Sequence, residues 1–245
     1  MGHFLTKEQL AAYRMDGFVQ VPDLLTPPEI DTFLEAQAQA VAPEVLELGL
    51  RRHTADPQWR YLASHPRVSG IASQLLDGPP MIVQTMYMAK APRGGAGIAL
   101  HQDAHYIRNE PGTLMACWLA LSDTDVNNGG LCVAAGSHLA PLQNTRPPQD
   151  GSEHASWVKE YAMRAPDGRE WTETMHSHEV AGVSRDELTF LTVPRGSGVF
   201  FTGRTIHGSY ANRSRGRPRL AFAIHYVREG TWVFRRDIQD LARVN

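Results

Sequence analysis

Two textures divide the chain near residue 80. Ahead of that point, apolar positions recur with the helical period and are bracketed by capping signals. Thr6 and Gln9 form a capping box, Leu10, Tyr13 and Arg14 follow, and Gly17 is a stop, which predicts a first helix. Phe18-Val-Gln-Val21 alternates like a short strand. Thr26-Pro-Pro-Glu29 repeats the box with proline at the first helical position. Ile30, Phe33, Leu34 and Val41 then share one face of a helix expected to end near Pro43. A third helix is expected from Val68 to Leu76, between Pro66 and the Gly78-Pro-Pro80 breaker.

From Met81 onward, short apolar runs alternate with Gly, Pro and Asn. The runs are Ile82–Met88, Thr113–Leu121, Gly130–Ala134, Val199–Thr202 and Leu220–Val227, and their spacing predicts an all-β sandwich or barrel. Residues 144–186 break the rhythm: they are rich in Pro, Gly, Ser and charge, yet carry Trp157, Tyr161, Met163, Trp171 and Met175. A connection of that length in a compact domain is usually functional, and a lid over the barrel mouth is the expected role. The expectation is one domain over 1–245, with a helical part (1–80) packed on a β core (81–245).

Composition narrows the function classes. Of 245 residues, 42% are hydrophobic and 20% charged, and 24 Lys+Arg against 26 Asp+Glu leave a net charge of −2. That balance gives no basic footprint for nucleic acid or a membrane surface. No apolar run approaches the ~18 residues of a membrane span. The opening Met-Gly-His-Phe-Leu-Thr fits a myristoylation pattern, but so short a pattern recurs by chance and Thr6 already serves as a cap. Cys117 and Cys132 are too few for a disulfide framework, which suggests a reducing, cytoplasmic setting.

The candidate chemistry lies in Leu100-His-Gln-Asp-Ala-His-Tyr106. On a strand or its continuation, His101 and Asp103 project from one face and can grip one cation. His207, in Thr205-Ile-His-Gly-Ser209, is the candidate third ligand. Two histidines and a carboxylate make the facial triad of non-haem Fe(II) oxygenases. With 11 histidines in the chain, a chance pair in a capped loop is the plain alternative. Arg219 opens Arg-Leu-Ala-Phe-Ala-Ile-His-Tyr226 and shares a strand face with Ala221 and Ala223, small residues that leave room for a ligand. Its planar fork suits a carboxylate. Arg213, Arg215 and Arg217 sit in a turn and read as solvated.

In order and spacing, several short stretches resemble the phytanoyl-CoA dioxygenase family of Fe(II)/2-oxoglutarate-dependent oxygenases. They are Gln84-Thr-Met-Tyr-Met88, His101-Gln-Asp-Ala-His-Tyr106, Asn128-Gly-Gly-Leu131, Gly136-Ser-His138, and His207-Gly-Ser209 with Asn212, Pro218 and Arg219. The resemblance implies a mainly β, cupin-like jelly roll (a double-stranded β-helix) with N-terminal helices packed on the barrel. It implies iron held by His101, Asp103 and His207, and 2-oxoglutarate held by Arg219 with Gln84, Met86, Trp118 and Ser209. The turn after His207 is about one residue longer than usual, which leaves Arg217 as a second candidate anchor. The implied activity is hydroxylation or another oxidation of a C–H bond in a small organic molecule, with O2 as co-reactant. A secondary-metabolite tailoring enzyme is favoured, because no Lys/Arg cluster beyond the cosubstrate turn would meet the phosphates of an acyl-CoA. An acyl-CoA or amino-acid-type hydroxylase is the alternative within the family. A non-catalytic cupin-like metal- or ligand-binding protein is the alternative from another class.

Other residues have plainer readings. His105 and Tyr106 are expected beside the metal or facing substrate. His176 and His178 read as exposed loop histidines, and His138 and Asn128 as turn residues. Trp118 is core or pocket wall, and His225 is pocket neighbour or core histidine.

Overall fold

A computed structural model describes residues 4–39, 50–147 and 153–244. Its helices are α1 (Lys7–Asp16), α2 (Pro27–Gln39), α3 (Pro57–Ser64) and α4 (Pro66–Leu76). The strands are β1 (Phe18–Val21), β2 (Pro80–Lys90), β3 (Ile98–His101), β4 (Asn109–Glu110), β5 (Met115–Ala120), β6 (Leu131–Val133), β7 (Thr145–Arg146), β8 (Val158–Arg164), β9 (Glu170–His176), β10 (Glu179–Val180), β11 (Thr189–Phe190), β12 (Gly198–Thr202), β13 (His207–Ser209), β14 (Arg219–Arg228), β15 (Trp232–Val233) and β16 (Ala242–Arg243).

The capping signals act as their chemistry dictates. The Thr6 hydroxyl accepts from the Gln9 amide while Gln9 Oε1 accepts from the Thr6 amide. Gly17 ends α1 in the left-handed region at φ 80°. A Cβ there would collide with His138 and Thr205, so glycine also permits the close docking of this turn. His138 is indeed a turn residue, and its Nε2 meets the Arg14 carbonyl at the end of α1. Helix α2 begins where expected, while Val41 and Pro43 lie outside the described residues. Helix α3 was not foreseen. Asp56 caps it, accepting from the Gln58 and Trp59 amides, with Pro57 at its first position.

The barrel is two antiparallel sheets, which matches the sandwich or barrel that the strand spacing predicts and the jelly roll that the resemblance implies. The larger runs β1-β12-β5-β14-β2-β16 and the smaller β11-β6-β13-β3. Strand β14 shows how the layers form. Phe222, Ile224 and Tyr226 face outward into a core shared with Phe33, Trp59, Leu62 and Ile71 of the helices. Phe222 meets the rings of Phe33 and Trp59 at 5.2 and 5.1 Å. Arg219, Ala221, Ala223 and His225 point inward, where the alanines pack among Trp118, Val133, Val199 and Phe201 between the sheets. The helices therefore seal one face of the large sheet and leave the space between the sheets for a site.

The described residues between 144 and 186 form strands that their composition did not suggest. Strands β8 and β9 pair over seven positions, Val158↔His176 to Arg164↔Glu170, and β7 pairs with β10. Met163 and Met175 anchor the hairpin on Phe234.

Candidate metal centre and its adjoining pocket

Strand β3 ends at His101 and pairs with β13, placing His101 directly opposite His207. The chain then tightens into a 3-10 turn whose first residue is Asp103. Asp103 is thus on a turn, not on a continued strand, yet its carboxylate returns between the two imidazoles. Its Oδ1 lies 3.6 Å from His101 Nε2 and 3.8 Å from His207 Nε2. One ligand atom from each of the three falls within 4.8 Å of the others, the one such cluster among the described residues.

Both imidazoles are aimed by the same backbone device. Nδ1 of His101 donates to the Ala99 carbonyl at 2.7 Å, and Nδ1 of His207 to the Thr205 carbonyl at 3.0 Å. Each ring thereby fixes its tautomer and turns the Nε2 lone pair to the centre. Burial, with His101 alongside, pushes His207 down to about 4, which keeps it neutral. Burial alone would raise Asp103, but His225 and His207 outweigh it and hold the carboxyl well below its usual range. A neutral His207 beside an ionised Asp103 suits a divalent cation.

Beyond this cluster a cavity opens between the sheets. Met86, Met88, Trp118, Ser209, Arg219 and Ala223 are among the residues that line it. Arg219 is 3% exposed and donates from one terminal nitrogen to the Met88 carbonyl at 3.2 Å. Its Nε is buried without a partner, and no carboxylate among the described residues pairs with it. The Trp118 ring sits 6.0 Å from the guanidinium. Burial pushes Arg219 down to about 10. A buried, unpaired guanidinium facing a cavity is costly unless an anion completes it. The pocket therefore fits a carboxylate at one end and a metal at the other.

Lys90 escaped the sequence reading. It lies opposite Arg219 across β2 and β14, is 4% exposed, and donates at 2.8 Å to both Ser209 Oγ and the Tyr210 carbonyl. Burial, with Arg219 beside it, pushes it down to about 7. Its signal was the alternation Met86, Met88, Lys90 along one strand face. Gln84 is on that face too, opposite His225, but does not line the cavity. Arg217 is exposed and paired with Asp125 at 2.8 Å, so the structure does not bring it to the pocket.

The outer side of the cluster corrects the reading of His176 and His178 as exposed loop residues. His178 stacks on His105 at 5.0 Å, and His176 lies 4.6 Å from His178. The His178 amide donates to the Tyr106 hydroxyl at 2.6 Å, and the Tyr106 ring meets His101 at 5.5 Å and Trp157 at 5.6 Å. Burial and the neighbouring His105 push His178 down to about 4. A wall of imidazoles and aromatic rings thus runs from His101 out to the hairpin.

Comparison with known proteins agrees with this geometry. The family model described as phytanoyl-CoA dioxygenase matches residues 3–221. A phytanoyl-CoA dioxygenase domain-containing protein 1 from Bos taurus is 31% identical over 193 residues, covering 76% of this chain and 59% of that protein. The chain thus spans about three-fifths of the length of that relative. The peroxisomal phytanoyl-CoA dioxygenase of Bos taurus is 27% identical over 251 residues, covering 91% and 68%. Among solved structures, the epimerase SnoN in complex with Fe3+, alpha ketoglutarate and nogalamycin RO superposes with a TM-score of 0.71, at 22% identity, over 93% of this chain and 85% of that one. EctD from S. alaskensis, with 2-oxoglutarate and 5-hydroxyectoine, gives 0.65 at 18% identity, over 92% and 77%. At such identities the structural likeness establishes the fold.

Proposed function

The chain belongs to the phytanoyl-CoA dioxygenase family, and on that footing we propose that it is an Fe(II)- and 2-oxoglutarate-dependent oxygenase acting on a C–H bond of a small organic molecule. The observation that carries this reading is the pairing, in one cavity, of the His101–Asp103–His207 cluster with the buried, unpaired Arg219. A cation-binding end and an anion-binding end are what a chelating 2-oxo dicarboxylate requires. Bound iron, with 2-oxoglutarate and O2, would supply an oxidant able to attack an unactivated C–H bond.

The protein's own residues do the positioning. His101, Asp103 and His207 would hold the metal on one face and leave the cavity side open. The Arg219 fork would hold the distal carboxylate, with the Ser209 hydroxyl as a second donor. Ser209 accepts from Lys90, which turns its own proton toward the cavity. Met86, Met88 and Ala223 line the cavity and would exclude water along the stem of the cosubstrate. Hairpin β8–β9 is the candidate lid, and the wall of Tyr106, Trp157, His105 and His178 the candidate substrate surface. We place the whole chain, 1–245, in one catalytic domain.

A tailoring role in a biosynthetic route fits better than acyl-CoA hydroxylation. SnoN and the carbocyclase SnoK, another fold neighbour, are enzymes of nogalamycin biosynthesis. Two of the three arginines of the turn, Arg213 and Arg217, are already paired with Glu153 and Asp125, which leaves them poorly placed for CoA phosphates. No helix among the described residues is long and apolar enough to cross a membrane.

The test is replacement of the ligands. His101→Ala or His207→Ala is expected to remove iron from the purified protein and abolish conversion of 2-oxoglutarate to succinate, while the circular dichroism spectrum is retained. Wild-type iron occupancy in either variant would refute the assignment.

A further inference from the structure

The Asp103 carboxylate has two unlike sides. Oδ1 faces the Nε2 atoms of His101 and His207. Oδ2 is turned away from them and lies 3.2 Å from Nε2 of His225, 5% exposed on β14. Oδ2 is buried and has no hydrogen bond from any other group, so the His225 ring is the polar group that meets it. On the far side of the ring, Nδ1 of His225 is buried and unpartnered. His225 is not a member of the metal-binding cluster. An unpartnered buried nitrogen is uncommon, because buried polar groups are nearly always satisfied.

The tautomer follows from these surroundings. A proton on Nδ1 would bury an unpaired N–H and set the Nε2 lone pair against a carboxylate oxygen. A proton on Nε2 faces an acceptor instead. Asp103 opens a short 3-10 turn, and no group other than His225 meets its Oδ2 among the described residues. A carboxylate free to rotate can present both oxygens to a cation, filling a position that a facial triad leaves for other ligands.

We propose that His225 is the positioning residue of the metal centre, its Nε2–H retaining Oδ2 of Asp103 so that only Oδ1 is offered to the ion. The inference rests on the metal-site reading above and extends it to a residue outside the ligand set. It also explains why the inner face of β14 runs Ala221, Ala223, His225. Small residues make room for the cosubstrate, and the one large polar side chain stands where it reaches the carboxylate.

The test uses Co(II) as the probe, in wild type, His225→Gln and His225→Phe. Dissociation constants and the visible d–d band are recorded without cosubstrate. Loss of such outer-sphere partners typically weakens metal binding by about 10- to 100-fold. His225→Phe is therefore expected to lose affinity in that range and to show a weaker band, as the released carboxylate turns its second oxygen to the ion. His225→Gln, whose side-chain amide can donate from a similar place, should recover most of both. Wild-type affinity and spectrum in His225→Phe would overturn the proposal. Equal losses in the two variants would overturn it too, since they would mark His225 as a ligand or as mere packing. If His225→Phe does not fold, nitrogen-15 NMR of the Zn(II)-loaded wild type decides. A proton on Nε2 supports the proposal and one on Nδ1 overturns it. Wild type that binds neither ion would instead bring down the metal-site reading itself.

Discussion

Arg219 lines one end of the cavity and Lys90 lies beside it, bonded to the lining residue Ser209, and the energetic question is what neutralises them. Removing one partner of a buried charge-assisted pair costs about 2–5 kcal/mol, or on the order of 30- to several-thousand-fold in affinity. Arg219→Ala is expected to raise the dissociation constant of 2-oxoglutarate by that much in anaerobic calorimetry, while Arg217→Ala leaves it unchanged. The reverse pattern would move the anchor to the turn. Lys90 adds a pH dependence. Its ammonium is held near 7, so above that pH the free protein loses the proton that an incoming carboxylate would favour. Cosubstrate binding should take up a proton between about pH 7 and 9, seen as a buffer-dependent enthalpy, and Lys90→Met should abolish the uptake. Arg219 was legible in the sequence because a charged residue opened a strand face of alanines. Lys90 was not, because a lone lysine at a strand end reads as solvated until the register shows it facing inward.

At the level of elements, capping chemistry and strand alternation located most of what forms. Strand β14 was legible to within a residue at each end, since Leu220–Val227 became Arg219–Arg228. Helix α3 carries the signals, the Asp56 cap with Pro57 and Trp59, Leu62 and Ala63 at the helical spacing, but spread over only eight residues they were passed over. Hairpin β8–β9 was missed for a different reason. Its strands are polar on one side, and its apolar positions, such as Met163 and Met175, pack on Phe234 and not on the barrel core. The hairpin's mooring through His178 can be tested by pH. Burial holds His53, His178 and His207 neutral, each pushed down to about 4, against an ordinary value of 6.5. Between those limits the unfolded chain binds more protons, so their contribution to stability is complete above pH 6.5 and is lost as pH falls to about 4. The melting temperature of the metal-free protein should fall across that window, less steeply in His178→Gln. An unchanged slope would mean that His178 is not held by its neighbours in solution.

Over the whole molecule, the labour is divided between the two faces of one sheet. Its outer face and the helices bury Phe33, Trp59 and Phe222, while its inner face gives up packing volume to alanines, a lone arginine and a histidine. Side chains of that kind inside a barrel weaken the core unless ligands complete it. The central claim is accordingly that a metal and a dicarboxylate complete it together. The direct measurement is an anaerobic titration of the Fe(II)-loaded protein with 2-oxoglutarate, followed by visible absorption. A weak charge-transfer band that saturates with 2-oxoglutarate, is absent with glutarate, and is lost in His101→Ala is the expected result. No band at any concentration, with iron demonstrably bound, would contradict the account.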